Sequence, residues 1–297
     1  MKTVLALLFC PLILLSPVLQ GCKSKTSHYE PAFATDMKEK KVLLFGVPNQ
    51  AYYELTDSIV KYLNDHLKGI RIQTVATTTY GKYNEQLARG YYDLTITNGI
   101  TAVDAIHRGY RIVGKVIDQA GNTGSIVVNK DSSINEFSNL KGKTIATPGA
   151  PALSGYVLQM LYLTKKGIDV NRDLKFKYFE SYESVFLNVY LGKCSAGFSS
   201  TISWNAFIKR RPEVASRVVE RWQTPGIVGS AILFRTDMDE RIAAQLKDLF
   251  LSMHTNDQGR TALAKIYFLR CEAADSNSYQ PIKEVMNNYA SVIKDHN

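Results

Sequence analysis

The chain is poor in the residues that bind metals or cross-link a fold. It has four cysteines and five histidines among 297 residues, and the histidines are scattered singly, without the short spacing of a metal site. We therefore expect neither a metal nor another cofactor. Two cysteines, Cys10 and Cys22, fall near the N-terminus. For Cys194 and Cys271, the sequence leaves open whether they form a disulfide or remain separate buried thiols.

Motifs for nucleotide binding and for hydrolytic catalysis are also lacking. The chain has no Gly-x-Ser-x-Gly sequence, no Gly-x-x-x-x-Gly-Lys-Ser/Thr loop and no Gly-x-Gly-x-x-Gly sequence after a strand. The carboxylates of Asp237, Asp239 and Glu240 cluster at the start of a charged helix, where the helix dipole explains them better than acid–base catalysis. The sequence therefore favours a binding protein over an enzyme.

Positive charge is in excess but is not concentrated. The formal net charge is +9, yet the one run of three basic residues is at 209–211, and no zinc-finger, RNP or basic-zipper pattern occurs. We interpret that run as a solvated face and expect no nucleic-acid partner. The excess charge is compatible with anionic ligands or an anionic membrane surface.

One long apolar run is present, and it lies at the N-terminus. Residues 4–19 are almost wholly apolar and follow Lys2, a pattern typical of a secretory signal rather than of a membrane-spanning helix. The ending, with Leu19, Gly21 and Cys22, resembles a bacterial lipobox. We expect a signal peptide at 1–21, lipidation of Cys22 and a polar tether at 22–37. The alternative is a signal cut elsewhere, with an incidental cysteine.

Strand and helix patterns alternate along the rest of the chain, which predicts an α/β protein. Strands are predicted at 42–47, 70–76, 92–96 and 111–117, and helices over 55–67, around Tyr83 and Leu87, and over 101–108. In this arrangement the loops after the strands lie at the carboxyl ends of the strands, where open α/β sheets bind ligands.

The stretch 141–163 reads as a strand, a Gly/Pro loop and a helix. Residues 143–147 have β-type composition, the sequence PGAP at 148–151 interrupts the strand, and apolar residues recur at helical spacing from Ser154 onward. Free N–H groups and the dipole at such a helix start can hold an oxyanion. Alternatively, Ser154 is an ordinary N-cap.

Several segments together carry a family resemblance. They are LARGYYDL at 87–94, GSIVVNKDS at 124–132, NLKGK at 139–143, SGY at 154–156, GID at 167–169, DQGR at 257–260 and YQPI at 279–282. In their order and spacing they resemble the solute-binding proteins of the phosphate, phosphite and phosphonate branch of ABC transporter receptors.

The resemblance implies a two-lobed periplasmic binding protein type II fold, in which each lobe is a mixed sheet flanked by helices and two hinge segments join the lobes. Lobe one would comprise 38–120 and 231–297, and lobe two, with the hinge crossings, 121–230. The crossings at 121–124 and 225–229 are rich in glycine, as suits a hinge.

The function implied is capture of a small anion of the phosphonate, phosphite or phosphate class, and its delivery to an ABC transporter permease. The protein would be held on the periplasmic side of the bacterial envelope by lipid, such as palmitate, on Cys22. Two alternatives are a membrane-anchored ligand sensor and a receptor for another small organic ligand, such as a sulfonate or a vitamin precursor.

The candidate ligand contacts either follow a predicted strand or fall in a segment that the resemblance places in the cleft. They are Tyr52, Thr97, Asn98, Ser154, Gly155, Tyr182 and Ser195.

The sequence departs from the family pattern at several of these positions. Ala152 and Leu153 replace hydroxyl-bearing residues before Ser154, Tyr182 stands at a frequent histidine position, and Ser195 stands at a usual aspartate position. These replacements suit a different oxyanion, or a larger organic ligand with a weaker polar cage.

Overall fold

Two β-sheets flanked by helices organise the chain. The computed structural model describes residues 41–48, 50–149 and 152–294, except for the side chains of residues 50–52 and 294. These residues fall within one compact unit, Glu39–Asn297. The predicted signal peptide, the lipidation site Cys22 and the predicted tether lie outside the described residues.

The strands follow the apolar segments of the sequence. In chain order they are β1 Lys41–Val47, β2 Ile70–Ala76, β3 Leu94–Thr97, β4 Tyr110–Asp118, β5 Gly124–Asn129, β6 Thr144–Thr147, β7 Lys175–Tyr178, β8 Ala196–Ser200, β9 Val218–Gln223, β10 Ala231–Arg235 and β11 Phe268–Ala273. The strands predicted at 42–47, 70–76 and 111–117 are confirmed to within one residue at each end, and the strand predicted at 92–96 begins two residues later, at Leu94.

The helices occupy the amphipathic segments between the strands. They are α1 Gln50–His66, α2 Tyr80–Ala88, α3 Gly99–Ile106, α4 Leu158–Lys165, α5 Tyr182–Tyr190, α6 Thr201–Arg210, α7 Pro212–Ala215, α8 Glu240–Ser252, α9 Asp257–Lys265 and α10 Gln280–Lys294. A π-turn, Leu153–Val157, precedes α4 without a break. No helix among the described residues is both long and apolar enough to cross a bilayer.

Both sheets mix parallel and antiparallel pairs. The first has the order β11-β4-β10-β3-β1-β2 and the second the order β7-β6-β8-β5-β9. In the first sheet, β1 is parallel to β2 and β3, whereas β10 is antiparallel to β3 and β4. In the second, β6 is parallel to β7 and β8, whereas β5 is antiparallel to β8 and β9. These sheets confirm the predicted α/β architecture of two lobes.

Strand register shows how the lobes meet. In the first sheet, Ala231 at the start of β10 pairs with Thr97 at the end of β3. In the second, Gly124 at the start of β5 pairs with Ser200 at the end of β8. Both crossings, 119–123 and 224–230, therefore join the edges at which the parallel strands end. We call the region beside the hinge where these two carboxyl edges lie the cleft.

The two crossings contact each other directly. Asn122, which has a left-handed φ of 50°, donates its side-chain Nδ2–H to the carbonyl of Val228 at 2.8 Å. A β-carbon on Gly226 would lie 2.5 Å from the carbonyl oxygen of Gly121, so the close approach requires glycine at 226. The hinge is thus a packed pair of segments.

Helix α10 also links the two lobes. Tyr289 on α10 packs edge-on against Tyr156 of the π-turn, with ring centroids 6.1 Å apart. Asn171 donates its Nδ2–H to the carbonyl of Val292 at 2.9 Å. Just before α10, the hydroxyl of buried Tyr279 donates to the carbonyl of Gly229 in the hinge at 2.9 Å.

The two cysteines in the described part of the chain are free thiols. Cys194 precedes β8 in the second lobe and Cys271 lies on β11 in the first, and both are buried. Burial raises the pKa of the Cys271 thiol to about 12. The structure therefore resolves the open pairing in favour of two separate buried thiols.

Candidate functional site

Helix N-termini line both edges of the cleft. In the first lobe, α1, α2 and α3 follow β1, β2 and β3, and in the second, the π-turn, α5 and α6 follow β6, β7 and β8. Each helix therefore begins at the carboxyl edge of its sheet. The first N–H groups of a helix lack partners within it, and its dipole places partial positive charge there. The cleft thus offers hydrogen-bond donors to an anion from both sides.

Thr97 and Asn98 occupy the edge of the first lobe. Thr97, the last residue of β3, is only 5% exposed, and its hydroxyl has no partner among the described residues. Asn98 caps α3: its Oδ1 accepts from the N–H of Thr101 at 3.1 Å. The structure therefore brings together an engaged helix cap and a buried hydroxyl whose hydrogen-bonding capacity is unused.

Thr95, two residues earlier on β3, has a hydroxyl that makes hydrogen bonds in the core. Its Oγ1 donates to the carbonyl of Gly46 at 2.8 Å and lies 2.8 Å from the hydroxyl of Tyr83. Thr95 is a structural residue of the core, and Thr97 differs from it in lacking such partners.

The π-turn places Ser154 and Gly155 at the edge of the second lobe. The N–H groups of Val157 and Leu158 bond to the carbonyls of Ala152 and Leu153, five residues back, which gives this turn its π geometry. Turns of this kind are frequent at functional sites. Ala152 stands at the N-cap and provides no side-chain cap. The interpretation of Ser154 as an ordinary N-cap is therefore wrong.

Tyr182 lies at the same edge, at the start of the helix that follows the neighbouring strand β7. It is the first residue of α5, whose cap is Ser181, and its hydroxyl lies so close to Gly155 that a β-carbon at 155 would overlap it. Its ring stacks on that of Phe186, with centroids 6.4 Å apart. The structure thus brings Tyr182 against Gly155, and Ser154 adjoins Gly155 in the same turn.

Ser195 is placed away from the other predicted contacts, and the side chain of Tyr52 lies outside the described part of the structure. Ser195 precedes β8, and its N–H donates to the carbonyl of Thr144, the first residue of β6, at 2.8 Å. It therefore lies at the amino ends of these strands, on the edge of the sheet away from Ser154. Tyr52 lies in the first turn of α1, directly after β1, but its side chain is not among those described.

A polar cluster beside the hinge is absent from the sequence prediction. The hydroxyl of Thr201, at the start of α6, lies within 2.9 Å of Thr123 Oγ1 and 2.8 Å of Ser125 Oγ. It also donates to Glu220 Oε1 at 3.3 Å and accepts from Gln223 at 3.1 Å. The sequence SST at 199–201 spans the end of β8 and the start of α6, as Thr97 and Asn98 span the end of β3 and the cap of α3, and this pattern could have identified the cluster.

These groups can bind an oxyanion by hydrogen bonding. The residues at both edges offer hydroxyls, amides and helix N-termini, which all donate to negatively charged oxygen. Among the described residues, no group of three histidine, cysteine, aspartate or glutamate side chains could hold a metal ion.

Comparison with known proteins places the chain in a family. A family model described as the periplasmic substrate-binding protein of an ABC transporter for phosphonate matches residues 47–279. The phosphonates-binding periplasmic protein of Escherichia coli (strain K12) is 20% identical over 273 residues, which cover 88% of this chain and 80% of the relative.

Solved structures agree with this fold. A binding protein component of an ABC phosphonate transporter from Pseudomonas aeruginosa superposes with a TM-score of 0.77 at 19% identity, covering 87% of this chain and 90% of the other. A protein from Prochlorococcus marinus (MIT 9301), in complex with methylphosphonate, superposes with a TM-score of 0.73 at 20% identity, covering 84% and 98%.

Proposed function

The chain belongs to the family of periplasmic substrate-binding proteins of ABC phosphonate transporters, and on that premise we propose that its cleft captures a small organophosphonate and delivers it to the transporter permease. Members of this family are transport receptors rather than enzymes. Binding and release, without chemical conversion, are therefore the events assigned to the cleft.

The observation that carries the proposal is the buried hydroxyl of Thr97 at the cleft edge, which has no hydrogen-bond partner in the described part of the chain. A buried polar group without a partner costs about 1–3 kcal/mol. A phosphonate oxygen seated at the start of α3 would accept the hydrogen bond that Thr97 does not otherwise make. The free-energy penalty of the unpaired hydroxyl would then be removed only when the ligand is bound.

The second lobe would hold the opposite side of the anion. In this proposal, the N–H of Gly155 and the hydroxyl of Ser154 donate from the π-turn, and the hydroxyl of Tyr182 donates from α5. The Tyr182 ring offers an apolar face to the organic substituent of a phosphonate. Asn98 contributes an amide N–H from the first lobe, and Tyr52, in the first turn of α1, stays a predicted ligand contact.

Binding by both lobes explains how capture is coupled to delivery. A ligand shifts a conformational equilibrium only through its different affinities for the two states. An oxyanion that contacts Thr97 in one lobe and Ser154 in the other binds the closed form better than the open form. The closed form is then the state that docks on the permease.

We propose that the protein is held at the membrane by lipid on Cys22, with residues 22–37 as a tether on the periplasmic side. The lipobox-like ending at Leu19, Gly21 and Cys22 supports this proposal. Replacement Cys22→Ser should prevent incorporation of labelled palmitate and leave the unprocessed precursor. Equal labelling of the Cys22→Ser variant and the natural chain would contradict the proposal.

Thermal unfolding with a panel of anions tests the ligand class. The purified mature protein would be measured with methylphosphonate, 2-aminoethylphosphonate, phosphite, phosphate and sulfate. A ligand at 100 times its Kd should add about 2.7 kcal/mol to the free energy of unfolding. We expect a shift with at least one phosphonate and none with sulfate. The absence of a shift with every phosphorus oxyanion would overturn the proposed ligand class.

A further inference from the structure

One buried amide connects three separate segments of the second lobe. The side chain of Gln159 on α4 has 0% exposure, and its Nε2 donates to the backbone carbonyls of Ser125, Ser154 and Ser199 at 3.2, 3.0 and 2.7 Å. A primary amide has two N–H groups, so at least one hydrogen is shared between two carbonyls.

Only one orientation of this amide is compatible with its surroundings. With Nε2 toward the carbonyls, three acceptors meet a donor, whereas the flipped amide would set Oε1 against three carbonyl oxygens. Oε1 itself has no partner among the described residues. The amide is therefore fixed entirely by what its nitrogen contacts.

The three carbonyls belong to the segments that border the proposed binding cleft. Ser125 is at the start of β5, directly after the first hinge crossing, and Ser154 is in the π-turn. Ser199 precedes Ser200, the residue that caps α6. The Gln159 amide can therefore hold the π-turn to β5 and β8 through its own hydrogen bonds, without backbone hydrogen bonds between these segments.

The neighbouring backbone is shaped to admit this amide. A β-carbon on Gly124 would lie 2.5 Å from Gln159 Nε2 and 2.8 Å from the carbonyl oxygen of Ser154. Glycine at 124 therefore allows the start of β5 to pass directly over the contact between the amide and the π-turn.

We propose that Gln159 is a positioning residue for ligand binding, which holds the π-turn at a fixed distance from the hinge crossing and from the start of α6. The inference rests on the proposed binding function, because it assigns Gln159 the task of placing the Ser154 and Gly155 donors. Gln159 does not touch the ligand. Its contribution to affinity comes from keeping the donors in place before the ligand arrives.

Substitution Gln159→Met tests the proposal, because methionine has a similar length and no donor. The matched control is Leu163→Ala, which removes a fully buried side chain one turn later on α4 without affecting the three carbonyls. We expect Gln159→Met to raise the Kd for methylphosphonate at least tenfold. Leu163→Ala should lower Tm at least as much as Gln159→Met does, but it should leave the Kd for methylphosphonate within twofold of the natural value.

A second measurement separates this inference from the proposed function. Without ligand, Gln159→Met should accelerate amide hydrogen exchange at least tenfold in both 153–158 and 199–203, whereas Leu163→Ala should leave 199–203 unchanged. Natural protein that binds none of the phosphorus oxyanions in the panel would overturn the ligand assignment, and the exchange data would still decide the role of Gln159. Unchanged exchange in both segments would overturn that role.

Gly124→Ala provides an independent variant if Gln159→Met does not fold. It retains the Gln159 side chain, but the new methyl group would displace the amide from the carbonyl of Ser154 in the π-turn, and we expect the same accelerated exchange in 153–158. Amide hydrogen exchange in 153–158 at the same rate as in the natural protein would count against the proposal.

Discussion

The hydroxyl of Tyr182 lies directly against Gly155, where any larger residue would place its β-carbon. The contact joins the first residue of α5 to the middle of the π-turn. It shows that glycine at 155 is required by the neighbouring tyrosine and not by an unusual backbone angle. Two helix starts at the cleft edge are therefore fitted to each other.

Gly155→Ala should destabilise the fold because its methyl group collides with the Tyr182 hydroxyl. Overpacking of this kind typically costs about 1–3 kcal/mol. Adding Tyr182→Phe removes the nearest colliding atom and should restore part of the loss, since ring carbons would still lie 2.8 Å from the new methyl. Urea unfolding of the single and double variants measures both effects.

Gly81→Ala is the matched control for that experiment. Gly81 lies in α2, and the nearest atom to a β-carbon there is Thr79 Oγ1 at 3.9 Å. Alanine should be neutral or stabilising by up to about 1 kcal/mol. Equal losses from Gly81→Ala and Gly155→Ala would show that the Tyr182 contact is not the cause.

Thr97→Val should separate binding from stability. Valine matches threonine in shape and removes a hydroxyl for which the described residues provide no partner, so the free energy of unfolding should stay equal or rise by about 1 kcal/mol. Loss of a bond to the ligand should raise the Kd for methylphosphonate about tenfold, equivalent to about 1.4 kcal/mol. Calorimetric titration and urea unfolding measure the two quantities.

Thr95→Val should behave in the opposite way. It leaves the carbonyl of Gly46 without its hydroxyl donor in the core, and it should cost about 1–3 kcal/mol of stability. Its methylphosphonate affinity should stay within twofold of the natural value. If Thr97→Val destabilised the protein as much as Thr95→Val does and left the Kd for methylphosphonate unchanged, Thr97 would be a core residue and not a ligand contact.

The two buried thiols should react slowly in the native protein and quickly after unfolding. Burial raises the pKa of Cys271 from 9.0 to about 12, and it also raises the pKa of Cys194. The reactive thiolate is therefore suppressed at neutral pH. Thiol labelling followed by mass spectrometry should find both cysteines unmodified in the folded state. Reducing agent should leave Tm unchanged, and a lowered Tm would instead indicate a disulfide.

The same pKa shift sets the sign of an alkaline effect on stability. The folded state holds the Cys271 proton more tightly than the unfolded state does. The protonated Cys271 thiol therefore contributes its full stability below pH 9, and this contribution is lost as the pH rises from 9 toward 12. Cys271→Ala should flatten this part of the stability profile. An equally steep profile in that variant would exclude Cys271 as the source.

Substitutions at Asn122 should distinguish its backbone conformation from its side-chain bond. Asn122→Gly keeps the left-handed φ accessible and loses only the bond to Val228, so it should cost about 1 kcal/mol. Asn122→Ala also places alanine in that conformation and should cost a further ~1–2 kcal/mol. Urea unfolding measures both, and equal costs would show that backbone conformation contributes nothing.

The regular parts of this fold follow from local patterns. The strands at 42–47 and 70–76 are predictable because apolar β-formers are bounded by breakers or glycine. The edges of the cleft follow from the same pattern, since Thr97 and Asn98 come directly after a strand and before a helix. This rule identifies helix starts without knowledge of the tertiary structure.

Contacts that depend on tertiary structure could not be predicted in this way. Ser195 matches a family segment, yet strand direction places it at the amino end of β8, and this direction is set by pairing with β6. Gln159 reads as an ordinary polar residue of an amphipathic helix, because the three carbonyls that it contacts are distant in sequence. The π-turn at 153–157 is likewise invisible to a search for 3.6-residue periodicity.

Strand β10 lies between β3 and β4 in the first sheet, although it is made after every strand of the second. During synthesis from the N-terminus, the second sheet can close as soon as residues 124–223 have emerged. The first must wait for residues 231–235 to fill its centre, with an unpaired gap between β3 and β4 until then. Strand order alone therefore predicts that the first lobe closes after the second, late in the synthesis of the chain.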